Sequence, residues 1–521
     1  MSARNVNDFT IRVATVNGSG SQSSNLVLTN AVARLGIPVA PKNVFPSNIE
    51  GLPTWFDVRV SALGYQCRAR DFDVLVALNA ATWTQDVAGV KPGGAVVHED
   101  TFPCKGDTLR EDLTYYPVPF TALAKEHFGD KGDLRKYLMN MIYVGVLAHL
   151  CEIPIGIVDE SLRAQFRKKV SAAELNLTAV NVGLEYARAN LEKHDPFRFV
   201  PMTGKTEGLT FMEGNRAAAL GCLMGGCTVA AWYPITPSSS LCEYFIQYCD
   251  RYRVDKETGR HNVAIVQAED ELAAAGIVFG AGWAGARAMT STSGPGVSLM
   301  AEYAGYGYFA EVPGVIFDVQ RAGPSTGLPT RTMQGDVAFT YTLSHGDTKH
   351  VVLLPATVAE AYEFAMESFD LAERFQTPVF VLSDLDLGMN AWLTPALRYP
   401  EKRFDRGKVL AADDLSSVKS WGRYRDVDKD GIPYRTLPGT QHPNAGFFTR
   451  GTGHDEEARY SEMPDVWQRN LDRLVRKHDT ARTAVPAPVV EEKKGVKIAI
   501  LAYGTTHHAV VEARDFLRDA G

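Results

Sequence analysis

The alternation of apolar and polar residues divides the chain into stretches of different rhythm. Residues 11–16, Ile-Arg-Val-Ala-Thr-Val, read as a strand. The small-residue turn Asn17-Gly-Ser-Gly-Ser-Gln-Ser-Ser24 follows, and apolar spacing over 25–35 predicts a helix that Gly36 stops. Residues 58–63, 73–78 and 95–98 predict further strands, and 134–150 and 172–191 predict helices. Strands alternating with helices imply a parallel sheet covered on both faces. The breaker-rich stretch 192–208 closes this segment, so the first domain is placed at 1–200. The same rhythm resumes over 201–390. Strands are predicted at 228–232, 262–267, 288–291, 314–319, 351–354 and 379–382, with helices between them. Residues 391–482 lose the rhythm and keep one good helix, at 464–478, so they read as an irregular insertion or excursion. Residues 483–495 are a linker by composition. A strand at 496–502 and a helix at 507–520 close the sequence. One strand and one helix cannot bury a core. Residues 496–521 are therefore expected to begin a further domain that the chain does not complete.

Composition narrows the function classes. The chain has 521 residues, of which 45% are apolar and 22% charged, with a net charge of −7. This is globular composition, and nothing basic points to nucleic acid or an anionic membrane. The longest apolar stretches, 137–150 and 272–286, are too short to span a bilayer. The opening residues lack the apolar run of a secretory signal, so a cytoplasmic protein is expected. The seven cysteines, at 67, 104, 151, 222, 227, 242 and 249, include no C-x-x-C pair. They read as reduced thiols, and they argue against an iron–sulfur cluster or structural zinc held by this chain alone. The run Cys222, Cys227, Cys242 and Cys249 is read as small buried hydrophobes beside helices.

Candidate chemistry gathers at predicted strand ends. The turn at 17–24 offers backbone N–H groups to a phosphate, but Ser23 stands where a dinucleotide motif needs its third glycine. A tight strand-to-helix turn is the simpler reading. In Tyr233-Pro-Ile-Thr-Pro-Ser-Ser-Ser240, two prolines stiffen a loop that holds Thr236 and opens a helix. Ser238 to Ser240 either cap that helix or receive an anion. Gln267-Ala-Glu-Asp-Glu271 puts three carboxylates at a helix start, which the helix dipole alone explains. Glu271 also leads directly into Ala273-Ala-Ala-Gly276, a packed apolar face that would partly bury a carboxyl suited to proton transfer. Ser291-Thr-Ser-Gly-Pro-Gly296 is a fourth small-residue turn. Gln320-Arg-Ala-Gly-Pro-Ser-Thr-Gly-Leu-Pro-Thr-Arg331 is a fifth loop, and it carries Arg321 and Arg331, which suit a carboxylate. In an open parallel sheet such loops collect along one edge, where ligands bind. The implied ligand is anionic. No metal site is expected: His442, His454, His507 and His508 lack helical ligand spacing, and His454-Asp-Glu456 reads as an exposed polar loop.

At these loops the sequence resembles the α subunit of the 2-oxoacid:ferredoxin oxidoreductases, in the form fused to a γ domain, and most of all the 2-oxoglutarate type (2-oxoglutarate synthase). The carrying residues are Tyr233-Pro-Ile-Thr-Pro-Ser-Ser239, Gln267-Ala-Glu-Asp-Glu271, Ser291-Thr-Ser-Gly-Pro-Gly296 and Gly323-Pro-Ser-Thr-Gly-Leu-Pro-Thr-Arg331. Asp430-Gly-Ile-Pro-Tyr-Arg435 and Arg450-Gly-Thr-Gly-His-Asp-Glu456 also match. The family's Gly-Gly-Gln-Gly turn is replaced here by Ser21-Gln-Ser-Ser24, so no nucleotide or coenzyme A role is carried over to that turn.

The resemblance implies an α/β fold. A γ-type Rossmann-like domain would be followed by a doubly wound parallel-sheet domain of the thiamine diphosphate-binding, pyrimidine-contacting type, and then by the start of a transketolase C-terminal-like domain. It implies cleavage of a 2-oxoacid with thiamine diphosphate, acyl transfer to coenzyme A and reduction of ferredoxin, reversibly as in a reductive TCA cycle. A β subunit is implied as partner, bearing Mg²⁺ and a [4Fe–4S] cluster, in an αβ heterodimer or α2β2 assembly. Glu271 is then the carboxylate on the cofactor's aminopyrimidine, with Glu269 its less well placed rival. Thr236 and Arg321 hold the substrate's 1-carboxylate, and Arg331 a distal one. Pro234 and Ser238 are further cofactor contacts. The preferred substrate is 2-oxoglutarate, with pyruvate or a branched or aromatic 2-oxoacid next. A non-catalytic scaffold subunit and a nucleotide-binding protein built on the turn at 17–24 are the readings from other classes.

Overall fold

A computed structural model describes residues 5–46, 50–103, 109–167, 169–401, 403–418, 421–491 and 494–520; Cys104 lies outside them. The chain forms two compact units. The first comprises Met1–Phe211, Asn390–Ala396 and His508–Gly521, and the second Met212–Met389 and Leu397–His507.

The first unit holds a six-stranded sheet of β1 (Asp8–Val16), β2 (Val39–Val44), β3 (Pro53–Ser61), β4 (Phe72–Ala77), β5 (Val90–Glu99) and β6 (Thr114–Val118), in the order β2-β3-β1-β4-β5-β6. Phe9, Ile11 and Val13 of β1 are buried, as their alternation requires. The expected all-parallel sheet is corrected here. β1, β4, β5 and β6 run parallel, but β3 is antiparallel to both β1 and β2. The link between β2 and β3 is too short for the helical crossover that parallel neighbours need, so the chain turns back as a hairpin. β2 itself is not evident in the sequence. Its Pro41 and Lys42 interrupt the apolar pattern, and it is tolerated as an edge strand. β7 (Leu209–Glu213) pairs with β14 (Ala391–Pro395), whose Leu393 joins the core of this unit.

The second unit is a doubly wound sheet with every adjacent pair parallel. Its strands are β8 (Val229–Trp232), β9 (Ala264–Gln267), β10 (Ala288–Thr292), β11 (Gly314–Gln320), β12 (Val351–Leu353) and β13 (Pro378–Asp384), in the order β12-β13-β11-β10-β8-β9. β11 shows how the two faces are filled. Val315 and Phe317 pack with Cys222, Phe245 and Phe369 on one side, and Ile316 packs with Phe279, Val297 and Phe380 on the other. The four clustered cysteines are wholly buried free thiols in the first of these layers.

The remaining segment is better organised than its sequence suggests. Pro464–Arg482 is one long helix, with a short helix at Ala412–Ser417. The expected strand at 496–502 does not form. Its residues find no ladder partner among the described residues, and Ile498 and Leu501 are 85% and 98% exposed. Alternation proposes a strand, but a strand exists only when another pairs with it. The helix Thr506–Asp519 does form, and Glu512 pairs with Arg59 of β3. No helix among the described residues is long and apolar enough to cross a membrane.

Candidate active site

The loop after β8 is braced from within. Backbone N–H groups of Ser238 and Ser239 donate to the Ile235 carbonyl at 2.9 and 3.1 Å, and the Ser239 hydroxyl accepts from the Ile235 N–H at 2.9 Å. Asn215 donates to the Pro237 carbonyl at 2.9 Å. Thr236 joins Pro237 through a cis peptide and remains half-buried. Its carbonyl accepts a 2.7 Å hydrogen bond from Arg321 Nη1, so the end of β8 and the end of β11 meet at one point. Arg321 is 8% exposed, and its Nε finds no partner among the described residues. Burial pulls its guanidinium pKa down, and the nearby Glu271 charge opposes that shift.

The three carboxylates after β9 separate into three roles. Asp270 caps the helix Glu271–Trp283, accepting from the Ala273 N–H at 2.7 Å. Glu269 is exposed. Glu271 is 7% exposed, and no described residue donates a hydrogen bond to its carboxyl, whose oxygens stay reachable. Room for it is left by the next turn: a Cβ on Gly296 would stand 2.8 Å from Glu271 Cγ and 3.0 Å from its Oε1. A buried carboxylate that takes no hydrogen bond from its own chain suits a ligand that donates one. Of the three carboxylates after β9, Glu271 is therefore the one placed to accept a hydrogen bond from a ligand.

β11 carries a feature that the motifs did not reveal. Asp318 is 0% exposed in an otherwise uncharged strand, and its carboxyl meets that of Asp336. Burial, reinforced by the Asp336 charge, holds the Asp318 carboxyl well above the ordinary carboxyl range. Burial also raises Asp336, while the hydrogen bond from Asp318 lowers it. Gln320 fixes the arrangement, accepting from the Asp336 N–H at 3.0 Å and donating to the Ser383 carbonyl at 3.0 Å. A lone carboxylate inside an apolar central strand is the sequence signal that could have found this pair.

Arg321 and Asp336 line one open cleft of about 240 Å³ with Gly294, Pro295, Ser298, Phe339 and the loop Gly323-Pro-Ser325. The other sequence candidates fall outside its lining; Thr236 and Glu271 are linked to it through Arg321, by the hydrogen bond to the Thr236 carbonyl and by the nearby Glu271 charge. Ser238 is wholly buried and gives its hydroxyl to the Ile235 carbonyl at 3.2 Å. Pro234 is exposed. Arg331 donates to its neighbour Thr330, at 2.9 Å to the carbonyl. His454, weighed as a metal ligand, is buried, with Nδ1 on the Thr452 carbonyl at 2.8 Å and Nε2 on Asn470 at 3.1 Å. No cluster of His, Cys, Asp and Glu suited to a metal occurs among the described residues. In the first unit, the turn at 17–24 is braced on one side: a Cβ on Gly20 would fall 2.1 Å from the Tyr137 ring, and Asn140 donates to the Ser19 carbonyl at 2.7 Å, while Gly18, Gln22 and Ser23 are exposed.

Comparison with known proteins identifies the family. Residues 220–396 match the family described as pyruvate flavodoxin/ferredoxin oxidoreductase, thiamine diphosphate-binding, and residues 10–186 match the pyruvate ferredoxin/flavodoxin oxidoreductase family. A 2-oxoacid:ferredoxin oxidoreductase α subunit of Aeropyrum pernix is 28% identical, covering 99% of this chain and 86% of the relative. A 2-oxoglutarate synthase subunit KorA of Methanocaldococcus jannaschii is 33% identical over 60% of this chain and 79% of the relative. Among solved structures, the 2-oxoglutarate:ferredoxin oxidoreductase of Magnetococcus marinus, with 2-oxoglutarate, coenzyme A and succinyl-CoA bound, superimposes with a TM-score of 0.87. It is 31% identical and covers 98% of this chain and 86% of that one.

Proposed function

The chain belongs to the 2-oxoacid:ferredoxin oxidoreductase family, and we propose that it forms, with a β subunit, an enzyme that converts 2-oxoglutarate, coenzyme A and two oxidised ferredoxins to succinyl-CoA, CO₂, two reduced ferredoxins and a proton. The observation that carries this reading is the convergence of Glu271, Thr236 and Arg321: a mostly buried carboxylate that takes no hydrogen bond from the described residues, near a guanidinium with an unused N–H.

Thiamine diphosphate, when bound, supplies the electron sink for loss of CO₂. Glu271 is the residue that would hold its aminopyrimidine, accepting a hydrogen bond from the ring and fixing its protonation state. The packed turn of Gly296 and Thr292 keeps the carboxyl in place. Arg321 binds the substrate's 1-carboxylate through its unused N–H groups, while its bond to the Thr236 carbonyl sets the direction of the fork. In this reading the Thr236 hydroxyl is a second donor to that carboxylate. Holding the carboxylate in one orientation is an entropic contribution to rate. The partner subunit in this reading carries Mg²⁺ and the [4Fe–4S] cluster and passes electrons to ferredoxin, in an αβ or α2β2 assembly in the cytoplasm.

The test is ferredoxin reduction by the chain purified with its native partner, given 2-oxoglutarate with and without coenzyme A. Coenzyme A-dependent reduction supports the reading. Absence of reduction, in a preparation shown to contain thiamine diphosphate and cluster, moves the substrate to pyruvate or a branched or aromatic 2-oxoacid.

A further inference from the structure

The reaction just described gives no task to Gln334, yet four hydrogen bonds meet on it. The loop that leaves β11 carries Arg321 at its start and Asp336 at its end, and both line the cleft. Its first part is closed by its own backbone: the Ala322 N–H donates to the Arg331 carbonyl at 2.9 Å, and the Leu328 N–H to the Ala322 carbonyl at 2.9 Å. Residues 332–335 have no such backbone closure among the described residues. Side chains hold them instead. Gln334 Nε2 donates to Asp384 Oδ2 at 3.0 Å, at the end of β13, and to Thr505 Oγ1 at 3.3 Å. Its Oε1 accepts from the Thr506 hydroxyl at 2.8 Å, and its carbonyl accepts from the Tyr503 hydroxyl at 2.6 Å. Thr505 in turn donates to the same Asp384 oxygen at 2.5 Å. Gly504 lets the two segments touch, since a Cβ there would stand 2.6 Å from Gln334 Nε2. Gln320, the register neighbour of Asp384, fixes the next point of the loop by accepting from the Asp336 N–H. All of these residues belong to the second unit.

The geometry points to Gln334 as a positioning residue for the 2-oxoacid, clamped in place by Tyr503, Thr505 and Thr506. The inference rests on the reading that Arg321 holds the substrate's 1-carboxylate in this cleft. Asp336 and Phe339 of the same lining follow Gln334 closely in the chain, so fixing Gln334 fixes them. A long loop has many conformations of similar energy. Side-chain bonds that select one of them remove that freedom before the substrate arrives. Both polar atoms of the Gln334 side chain are engaged, so its amide cannot turn without leaving a partner unmet. Burial, with the Asp336 and Asp384 charges, raises the Tyr503 hydroxyl, so it stays a protonated donor to the Gln334 carbonyl. Gln334 is not part of the lining, and it therefore acts through the wall rather than on the substrate. Arg321 keeps a separate bond, to the Thr236 carbonyl. The direction of the bound carboxylate is thus set elsewhere, and loss of the clamp should weaken binding of the acid more than it slows the chemistry.

The experiment uses the complete αβ enzyme and the 2-oxoacid that it turns over. Gln334→Ala is expected to raise KM for that acid about tenfold while kcat changes by less than about threefold. Hydrogen exchange over residues 322–336 should quicken in the same variant. Tyr503→Phe combined with Thr506→Val removes two clamping hydroxyls and should raise KM in the same way, by about three- to fivefold. Thr506→Ser keeps its hydroxyl and should leave KM at the wild-type value. A role in packing alone would lower the unfolding midpoint and leave KM unmoved. Unchanged KM in Gln334→Ala, a fall in kcat with KM unmoved, or exchange at the wild-type rate overturns the proposal. If Gln334→Ala does not assemble, the Tyr503→Phe and Thr506→Val double variant decides by the same criteria. Arg321→Ala keeps the two readings apart. Unchanged kcat/KM in Arg321→Ala removes the premise, whereas a large loss there with unchanged KM in Gln334→Ala removes the clamp alone.

Discussion

Two groups of buried charges in the second unit differ in how completely they are used. Glu311 is fully buried, and both its oxygens are taken, one by Arg473 and the other by Lys477 Nζ at 2.9 Å. Arg473 also reaches the Asn470 side chain at 2.7 Å and the Gly431 carbonyl at 3.1 Å. Even Arg423, with two nitrogens unbonded, gives a third to the Glu311 carbonyl and lies against the Tyr424 ring. Burial alone would raise the Glu311 carboxyl, but Arg473 and Lys477 outweigh it and bring the pKa down to about 2. At the sheet edge, Arg321 uses one N–H on a carbonyl, and Glu271 accepts nothing from the described residues. A buried charge satisfied by its own chain secures the packing of a segment. One left unsatisfied is costly, and it suits a position where a ligand supplies the missing partner.

Substitutions sharpen this contrast because the two groups should fail in different ways. The largest effect is expected from Glu271→Gln, which removes the charge and keeps the volume. Turnover of the αβ enzyme should fall by about 10²–10⁴-fold with the unfolding midpoint unmoved. Near-normal turnover would end the proposed role. Arg321→Ala follows, with kcat/KM down about 10²–10³-fold and stability again little changed, because the residue spends only one N–H on the fold. Glu311→Gln should show the reverse pattern, losing about 3 kcal/mol or more in denaturant unfolding, since it leaves Arg473 and Lys477 uncompensated. Substrate affinity of the folded fraction should hold. If Glu311→Gln abolished turnover without loss of stability, the distinction between the groups would collapse.

The smallest effect is a pH dependence. The Glu311 carboxyl is depressed in the folded state, so its contribution is complete above the ordinary carboxylate range. It fades as pH falls from about 4.5 toward about 2, at no more than about 1.4 kcal/mol per pH unit. Acid unfolding of the wild type should therefore be steeper through that window than that of Glu311→Gln. Equal slopes would remove Glu311 from the account.

Legibility in the sequence followed the range of the interaction. β1, the strand ends at Thr236 and Arg321, and the helix beginning at Glu271 are local patterns that the sequence alone predicts. Of three neighbouring carboxylates, the family resemblance singles out Glu271, which the alanines behind it only support, and the fold leaves it buried while Asp270 caps and Glu269 faces solvent. Asp318 and Asp336 escaped notice because their meeting depends on a loop folding back over β11. Asn470, Arg473 and Lys477 are spaced so that they share one face of their helix, but charged residues at that spacing suggest a solvated face until a buried Glu311 is seen against them. The exposed run at 496–502 is the opposite case, since its pattern predicts a strand where no described residue pairs with it.

The sequence by itself therefore determined the α/β alternation, the strand-end loops that carry the chemistry and the family to which the chain belongs. These rest on periodicity, turn residues and short motifs, all of which act within a few residues. Only the tertiary structure decided that β3 runs against its neighbours, that the turn at 17–24 lies against Tyr137, and that Arg321 and Asp336 line one cleft. Each depends on which distant segment arrives to supply or withhold a hydrogen bond or a charge, and no local pattern contains that information.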